Sequence, residues 1–176
     1  MRQLERKTKN SNLTKKFVRI ILLGVLFVSL FRGVSFAQPV NLDAVTAFIH
    51  TPEALSSWLT KNFRYEFGIN DNWQTAEETL RLRTGDCEDF AVLASSILKK
   101  IGIRPEVAIV KYEGLNLRHA ICIWKETDGT YSFISNQELH RTGETTVQAA
   151  IAKIYPDWQN LTYLDLNNHP IKIVKK

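Results

Sequence analysis

One stretch constrains the fold of this chain more than any other: a short acidic segment followed by a periodic apolar run. Residues 85–89 read Gly-Asp-Cys-Glu-Asp. Apolar side chains then recur at the spacing of one helix face, at Phe90, Ala91, Ala94, Ile97, Leu98 and Ile101. Gly102 is placed to end that helix as a C-cap glycine. Cys87 is therefore predicted to lie in or next to the first turn of a buried helix.

The first turn of a helix can change the acidity of a cysteine thiol. Free backbone N–H groups and the helix dipole favour a thiolate there, so the thiol pKa can fall below its free value of about 8.5. We therefore expect Cys87 to be a nucleophile. The only other cysteine, Cys122, lies in an alternating, apolar run and is predicted to be buried rather than bonded to Cys87.

Helix signals come before this stretch. A short helix is predicted over Asp43–His50, and Thr51–Glu53 opens a second one with an N-cap and a proline in the first turn. Thr75 with Glu78 forms a capping box for a third short helix, roughly Thr75–Leu82.

After Gly102 the apolar residues change to a period of two, which is typical of strands. The candidate strands are Glu106–Tyr112, Arg118–Lys125 and Thr130–Ser135, with shorter ones at Leu161–Leu166 and Ile171–Val174. Short connections between the first three predict an antiparallel meander. A further helix is predicted over Thr145–Ile154. Helices followed by strands indicate the α+β class.

The net charge of +5 is unevenly distributed and excludes one class of function. Of the 23 basic and 18 acidic residues, eight basic and one acidic lie in residues 1–37, which leaves 15 basic and 17 acidic in residues 38–176. The second segment therefore has no basic excess with which to bind phosphates. We expect no nucleic acid among the partners.

The basic amino-terminal segment has the layout of a secretory signal. An apolar run, Ile20–Phe31, follows the basic residues, and small residues stand at Ser35 and Ala37. We predict a signal peptide over residues 1–37 and a mature domain over 38–176, in the periplasm or secreted. An uncleaved membrane anchor is the alternative, although a spanning helix needs about 20 apolar residues. Membrane contact is expected only through this segment.

A nucleophilic cysteine needs a base, usually a histidine held by a third group. Among four histidines, His119 is distinctive because it starts a predicted strand, whereas His140 falls in a loop-like stretch. On that strand His119 and Ile121 share one face and Cys122 lies on the other. A helix N-terminus packed on the sheet would meet a side chain at the strand's start. His119 is thus the candidate base, and a plain strand-end polar residue is the alternative.

Three groups of residues carry a resemblance to a known family: Trp73, Thr75 and Glu77; Gly85–Ala91; and Arg118–Ala120. Together they resemble the transglutaminase-like superfamily, and most narrowly the bacterial transglutaminase-like cysteine proteinases. The resemblance implies a papain-like α+β core, with a helical amino-terminal part whose cysteine starts a helix packed on an antiparallel sheet. It also implies a thiolate at Cys87, a base at His119 and an acid on the next strand.

The third position departs from the family, which places an aspartate near the end of the strand after the histidine strand. Ser135 occupies that place and Asn136 follows it. Asn136, brought round by a β-bulge, or Ser135, through its hydroxyl, is expected to orient His119. The alternative is a homologue that has lost its acid and serves as a binding or scaffold module.

The residues around Cys87 allow a metal site as well. Asp86 is a good helix-start residue whatever the chemistry. The resemblance implies that Asp86 and Glu88 form part of a calcium site, although no cofactor is required for the reaction. Trp73 is expected to wall the cleft or shape the oxyanion pocket, and plain core packing is the alternative.

Taken together, the sequence predicts an exported cysteine peptidase acting on a protein or peptide substrate, in which the cysteine–histidine pair hydrolyses an amide through a thioester. Amine transfer would make it a protein acyl transferase instead, depending on whether water or an amine resolves that thioester. A non-catalytic module of the same fold is the third hypothesis.

Overall fold

The computed structural model describes residues 41–68, 72–114, 117–165 and 168–176. The predicted signal peptide lies outside these ranges, so the boundary after residue 37 stays a prediction. None of the helices in the described ranges is both long and apolar enough to cross a membrane.

The helices lie close to their predicted positions. They are α1 (Leu42–Thr46), α2 (Pro52–Asn62), α3 (Ala76–Leu82), α4 (Cys87–Lys100) and α5 (Val147–Ile154). Thr51 caps α2, because its side chain accepts a hydrogen bond from the Ala54 N–H at 3.1 Å. Thr75 and Glu78 form the predicted capping box of α3. The first helix is shorter than predicted and ends at Thr46.

The strands form two sheets of different size. A short parallel pair joins β1 (Arg64–Tyr65) to β2 (Thr84–Gly85). The main sheet contains β3 (Glu106–Tyr112), β4 (Arg118–Lys125), β5 (Tyr131–Ser135), β6 (Glu138–Glu144), β7 (Trp158–Leu164) and β8 (Pro170–Lys175). Its order is β6-β5-β4-β3-β7-β8, with every neighbouring pair antiparallel. The predicted meander of β3, β4 and β5 is confirmed.

Strand β6 was not expected, since its residues read as a loop around His140. It carries only one aliphatic side chain, Leu139, among polar ones and Gly143. It pairs with β5 on one side and forms the edge of the sheet. A polar edge strand has no strong apolar alternation, so the periodicity of the sequence did not indicate it.

The main sheet separates two apolar layers, because successive side chains on a strand point to opposite faces. Ala120, Cys122 and Trp124 pack against helices α1–α4 on one face. Ile121 and Ile123 pack with α5 and β7 on the other. The alternation predicted for β4 is confirmed, and so is the burial of Cys122, which has no exposed surface. The α+β class is confirmed with it.

The first turn of α4 is held in place by the side chain of Asp89, which is buried. One carboxylate oxygen accepts a hydrogen bond from the Asp86 N–H at 3.1 Å, and the other accepts one from the Gln74 N–H at 2.8 Å. Gly85 allows this, since a Cβ there would lie 2.7 Å from the Asp89 Cβ. Asp89 therefore fixes the turn that carries Cys87.

The contact between Gly85 and Asp89 predicts the effect of a single methyl group. We expect Gly85→Ala to lower the free energy of unfolding by about 2 kcal/mol, because the added Cβ displaces the Asp89 carboxylate from its two N–H donors. Urea denaturation measures this. Gly129→Ala is the control: its Cβ has room but its φ of +88° strains alanine, at a cost of about 1 kcal/mol. A Gly85→Ala variant as stable as the control would contradict the expectation.

Candidate active site

A cleft of about 860 Å³ opens where α4 begins. Its described walls come from β1 and the residues after it (Tyr65, Phe67, Gly68 and Trp73), from the start of α4, and from strands β3, β4, β7 and β8 or the residues just before them. Cys87 and His119 both line it. The structure thus brings the two residues singled out by the sequence into one cleft.

One wall of the cleft is fastened by the short parallel sheet. The Glu66 N–H donates to the Gly85 carbonyl at 2.9 Å, and the Gly68 N–H donates to an Asp86 carboxylate oxygen at 3.1 Å. The ring of Tyr65 stacks on Phe90 of α4 with centroids 6.5 Å apart. These contacts hold residues 65–68 beside the start of α4, where Cys87 lies.

The thiol of Cys87 is half-buried and donates a hydrogen bond to a Glu88 carboxylate oxygen at 3.0 Å. Burial raises the pKa of Cys87 to about 12; a hydrogen bond with the Ala120 backbone opposes this rise, and the carboxylates of Glu88 and Asp86 add to it. The expectation of a lowered pKa is therefore wrong for this structure. A desolvated sulfur between two acids outweighs the favourable end of the helix dipole.

The imidazole ring of His119 has a hydrogen-bond partner on β5. Its Nε2 atom lies 2.8 Å from the Ser135 hydroxyl oxygen. Burial lowers the pKa of His119 below its ordinary range, and the nearby His140 adds to this effect. At neutral pH the ring is therefore neutral and can accept a proton.

Ser135, and not Asn136, meets the histidine. Ser135 pairs regularly with Glu138, and the bulge of this hairpin lies further along, between Tyr131 and Ser132. Asn136 instead forms the turn with a φ of +52°, and its side-chain oxygen is buried without a hydrogen-bond partner. The alternative in which a bulge carries Asn136 to His119 is therefore wrong. A tight hairpin needs a left-handed residue at its turn, and asparagine suits that conformation.

One residue at this site was missed by the sequence analysis. The Tyr155 hydroxyl donates a hydrogen bond to the Ser135 oxygen at 2.7 Å. Its ring centroid lies 5.7 Å from that of His119 and 5.9 Å from that of Phe133. Tyr155 directly follows α5 and belongs to no motif, so only the packing of α5 on the sheet places it here.

The acids beside Cys87 form a candidate metal site. Single ligand atoms of Asp86, Cys87 and Glu88 lie within 4.8 Å of one another. One Asp86 oxygen is buried without a hydrogen-bond partner, and burial raises the pKa of Glu88. Two carboxylates suit calcium, but a thiol does not, and calcium takes six to eight oxygens. Trp73, half-buried, lines the same cleft.

Comparison with known proteins found distant structural relatives. No curated protein matches the chain. Legionella pneumophila LapG is 19% identical, with 62% of this chain and 60% of that chain covered and a TM-score of 0.47. Its calcium-bound form is 18% identical, with 69% and 63% covered and a TM-score of 0.45. A candidate cysteine protease from Cytophaga hutchinsonii is 19% identical, with 70% and 43% covered and a TM-score of 0.43. The chain spans about three fifths of the length of the first of these proteins.

A family match covers most of the chain. The family described as "Transglutaminase-like domain" matches residues 41–153. This span contains the cysteine helix α4, the histidine strand β4, and Ser135 at the end of β5, whereas β7, β8 and Tyr155 follow it. The resemblance noted in the sequence is thereby confirmed, and the chain belongs to the transglutaminase-like domain family.

Proposed function

We propose that this chain is an exported cysteine peptidase in which Cys87 is the nucleophile and His119 the general base. The observation that supports it most is the shared cleft: Cys87 is the first residue of α4, His119 is the second residue of β4, and both line the same space. The hydrogen bond between His119 and Ser135 adds the third group that such a base requires.

The reaction proposed for this pair is acyl transfer to sulfur. The Cys87 sulfur attacks an amide carbonyl while its proton passes to His119, and His119 then gives that proton to the departing amine. Water hydrolyses the resulting thioester and releases the acid. Because Ser135 occupies Nε2, Nδ1 is the ring nitrogen that takes the proton. The resting thiol and neutral imidazole mean that proton transfer accompanies the attack.

We propose that the Cys87 backbone N–H donates a hydrogen bond to the developing oxyanion. The first N–H groups of a helix have no partner within the helix and carry the positive end of its dipole. Trp73 is proposed to wall the cleft beside this pocket.

The proposed substrate is an extended polypeptide with apolar side chains near the scissile bond. Three apolar residues of the cleft are largely exposed, Phe67 at 81%, Leu117 at 58% and Ile173 at 60%. Exposed apolar side chains that line the same cleft as Cys87 are typical of a binding surface. A peptide lying along it would bury apolar area on both sides.

A calcium ion held by Asp86 and Glu88 is proposed as an accessory to this site. The unpartnered Asp86 oxygen and the close carboxylates support it, and a bound cation would supply positive charge beside the Cys87 sulfur. The remaining oxygen ligands would come from backbone carbonyls or water.

A non-catalytic module is the second candidate. The observation that favours it is the raised pKa of Cys87, since a buried thiol between acids is a poor nucleophile until its proton is removed.

The test of the peptidase is the reactivity of Cys87. We expect iodoacetamide to alkylate Cys87 in wild type at pH 7 at least tenfold faster than in His119→Ala, because the base is lost. Mass spectrometry of the labelled peptide separates Cys87 from the buried Cys122, and Cys122→Ser is the matched control with an unchanged rate. Equal rates in wild type and His119→Ala would support the non-catalytic module.

Peptide-like probes extend this experiment to the substrate. We expect a fluoromethyl ketone carrying phenylalanine to label Cys87 faster than one carrying aspartate, and Ile173→Asp to reverse the preference. Iodoacetamide, which has no peptide portion, should react equally with both proteins. Incorporation of dansylcadaverine into casein, rather than cleavage of casein, would identify an acyl transferase instead.

Calcium binding can be measured without any activity. We expect calcium chloride to raise the melting temperature of the wild-type protein relative to EGTA, because an ion bound to the folded state stabilises it. The shift should vanish in Asp86→Asn/Glu88→Gln and persist in Asp128→Asn, an exposed acid remote from the cleft. An unchanged melting temperature in wild type would argue against the calcium site.

Export is also a proposal, based on the amino-terminal sequence. We expect protein recovered from the periplasm or medium to begin at Gln38, as measured by its intact mass. A product that retains Met1 in the membrane fraction would favour the uncleaved anchor.

A further inference from the structure

We propose that Tyr155 is a positioning residue for His119 and acts through Ser135. Its hydroxyl donates to the Ser135 oxygen at 2.7 Å, and that oxygen lies 2.8 Å from His119 Nε2. The three side chains form a continuous hydrogen-bonded chain behind the cleft. This inference rests on the proposed function, because His119 must be a base for its position to matter.

The surroundings of Tyr155 keep its hydroxyl in place. The ring lies 5.9 Å from that of Phe133 and 5.9 Å from that of Tyr112, between centroids, and it is half-buried. Burial raises the pKa of Tyr155 to about 12, so the hydroxyl keeps its proton and remains a donor. The packing of α5 on the sheet therefore directs a fixed O–H group at Ser135.

A serine needs such a partner where an aspartate would not. A carboxylate only accepts hydrogen bonds, so it selects the imidazole tautomer with hydrogen on Nε2 and leaves Nδ1 free for the Cys87 proton. A serine hydroxyl can donate or accept and rotates among staggered positions. The Tyr155 hydrogen bond selects one position of the Ser135 oxygen, the one within reach of Nε2. Tyr155 thus fixes the position of the Ser135 oxygen beside the ring, and the Ser135 oxygen retains a lone pair that can accept the Nε2–H.

The experiment compares hydroxyl deletions by the rate at which iodoacetamide alkylates Cys87 at pH 7. We expect Tyr155→Phe to lower the rate about fivefold, as the loss of one net hydrogen bond implies. Ser135→Ala should lower it at least as much, and Ser135→Ala/Tyr155→Phe no further, because the Tyr155 hydroxyl acts only through Ser135 and the ring is retained in phenylalanine. Tyr131→Phe, which removes a hydroxyl from the opposite end of β5, outside the cleft, is the control and should react like wild type.

Rescue separates positioning from a structural role. We expect Ser135→Asp/Tyr155→Phe to react at least as fast as wild type, since a carboxylate only accepts hydrogen bonds and selects Nε2–H by itself, with no tyrosine to position it. A tyrosine that merely supported the fold would leave the rate low in this variant. Melting temperatures of all variants show whether each protein is folded.

The outcomes distinguish this proposal from the proposed function. A wild-type rate above that of His119→Ala, with Tyr155→Phe equal to wild type, would overturn the role of Tyr155 alone. The same holds if the effects of Tyr155→Phe and Ser135→Ala multiply. If wild type reacts no faster than His119→Ala, both proposals fail, because His119 then activates nothing.

Discussion

The interaction on which the site depends is the pair of hydrogen bonds by which the buried Asp89 carboxylate holds the first turn of α4. Burying a carboxylate costs free energy, and burial accordingly raises the pKa of Asp89. Two backbone N–H donors offset that cost and tie the first turn of α4 to the segment at Gln74. Without this turn Cys87 would not face β4. An acid that reads as an ordinary helix-start residue therefore organises the cleft.

Burial also sets the protonation states of Cys87 and His119. Desolvation disfavours the charged form of either group, so it raises the pKa of Cys87 and lowers that of His119. The cleft therefore holds an uncharged thiol and an uncharged imidazole. The environment thus differs from that of a preformed thiolate–imidazolium pair, which positive charge near the sulfur would favour. The acids at Asp86 and Glu88 oppose such a pair unless a cation offsets them.

At Ser135 the fold keeps a hydrogen-bond partner beside His119 although the side chain is a hydroxyl and not a carboxylate. Ser135 stands where the family has an aspartate and still reaches His119. What it lacks is a fixed charge and a single hydrogen-bonding role. The hydrogen bond from Tyr155 fixes the position of the Ser135 oxygen, but it adds no charge and leaves that hydroxyl able to donate or to accept.

Much of this molecule could be predicted from local patterns. The apolar period after Gly85–Asp89 determined α4, the alternation of β4 determined which of its side chains face each layer, and the spacing of motifs determined the family. These signals are strong because each is set by residues close together in the chain. The polar edge strand β6 could not be predicted in this way, since its stability comes from pairing with β5 and not from its own side chains.

Only the tertiary structure decided the surroundings of each side chain in the cleft. The helix position of Cys87 favoured a low pKa, but the depth of its burial and the direction of the Glu88 side chain reversed that expectation. The choice between Ser135 and Asn136 depended on where the hairpin turn falls. Tyr155 reached the site only through the packing of α5. The sequence by itself determined which residues are present and placed Cys87 and His119 on their helix and strand. Distance, desolvation and hydrogen-bond direction arise only when the elements pack, because each depends on residues far apart in the chain.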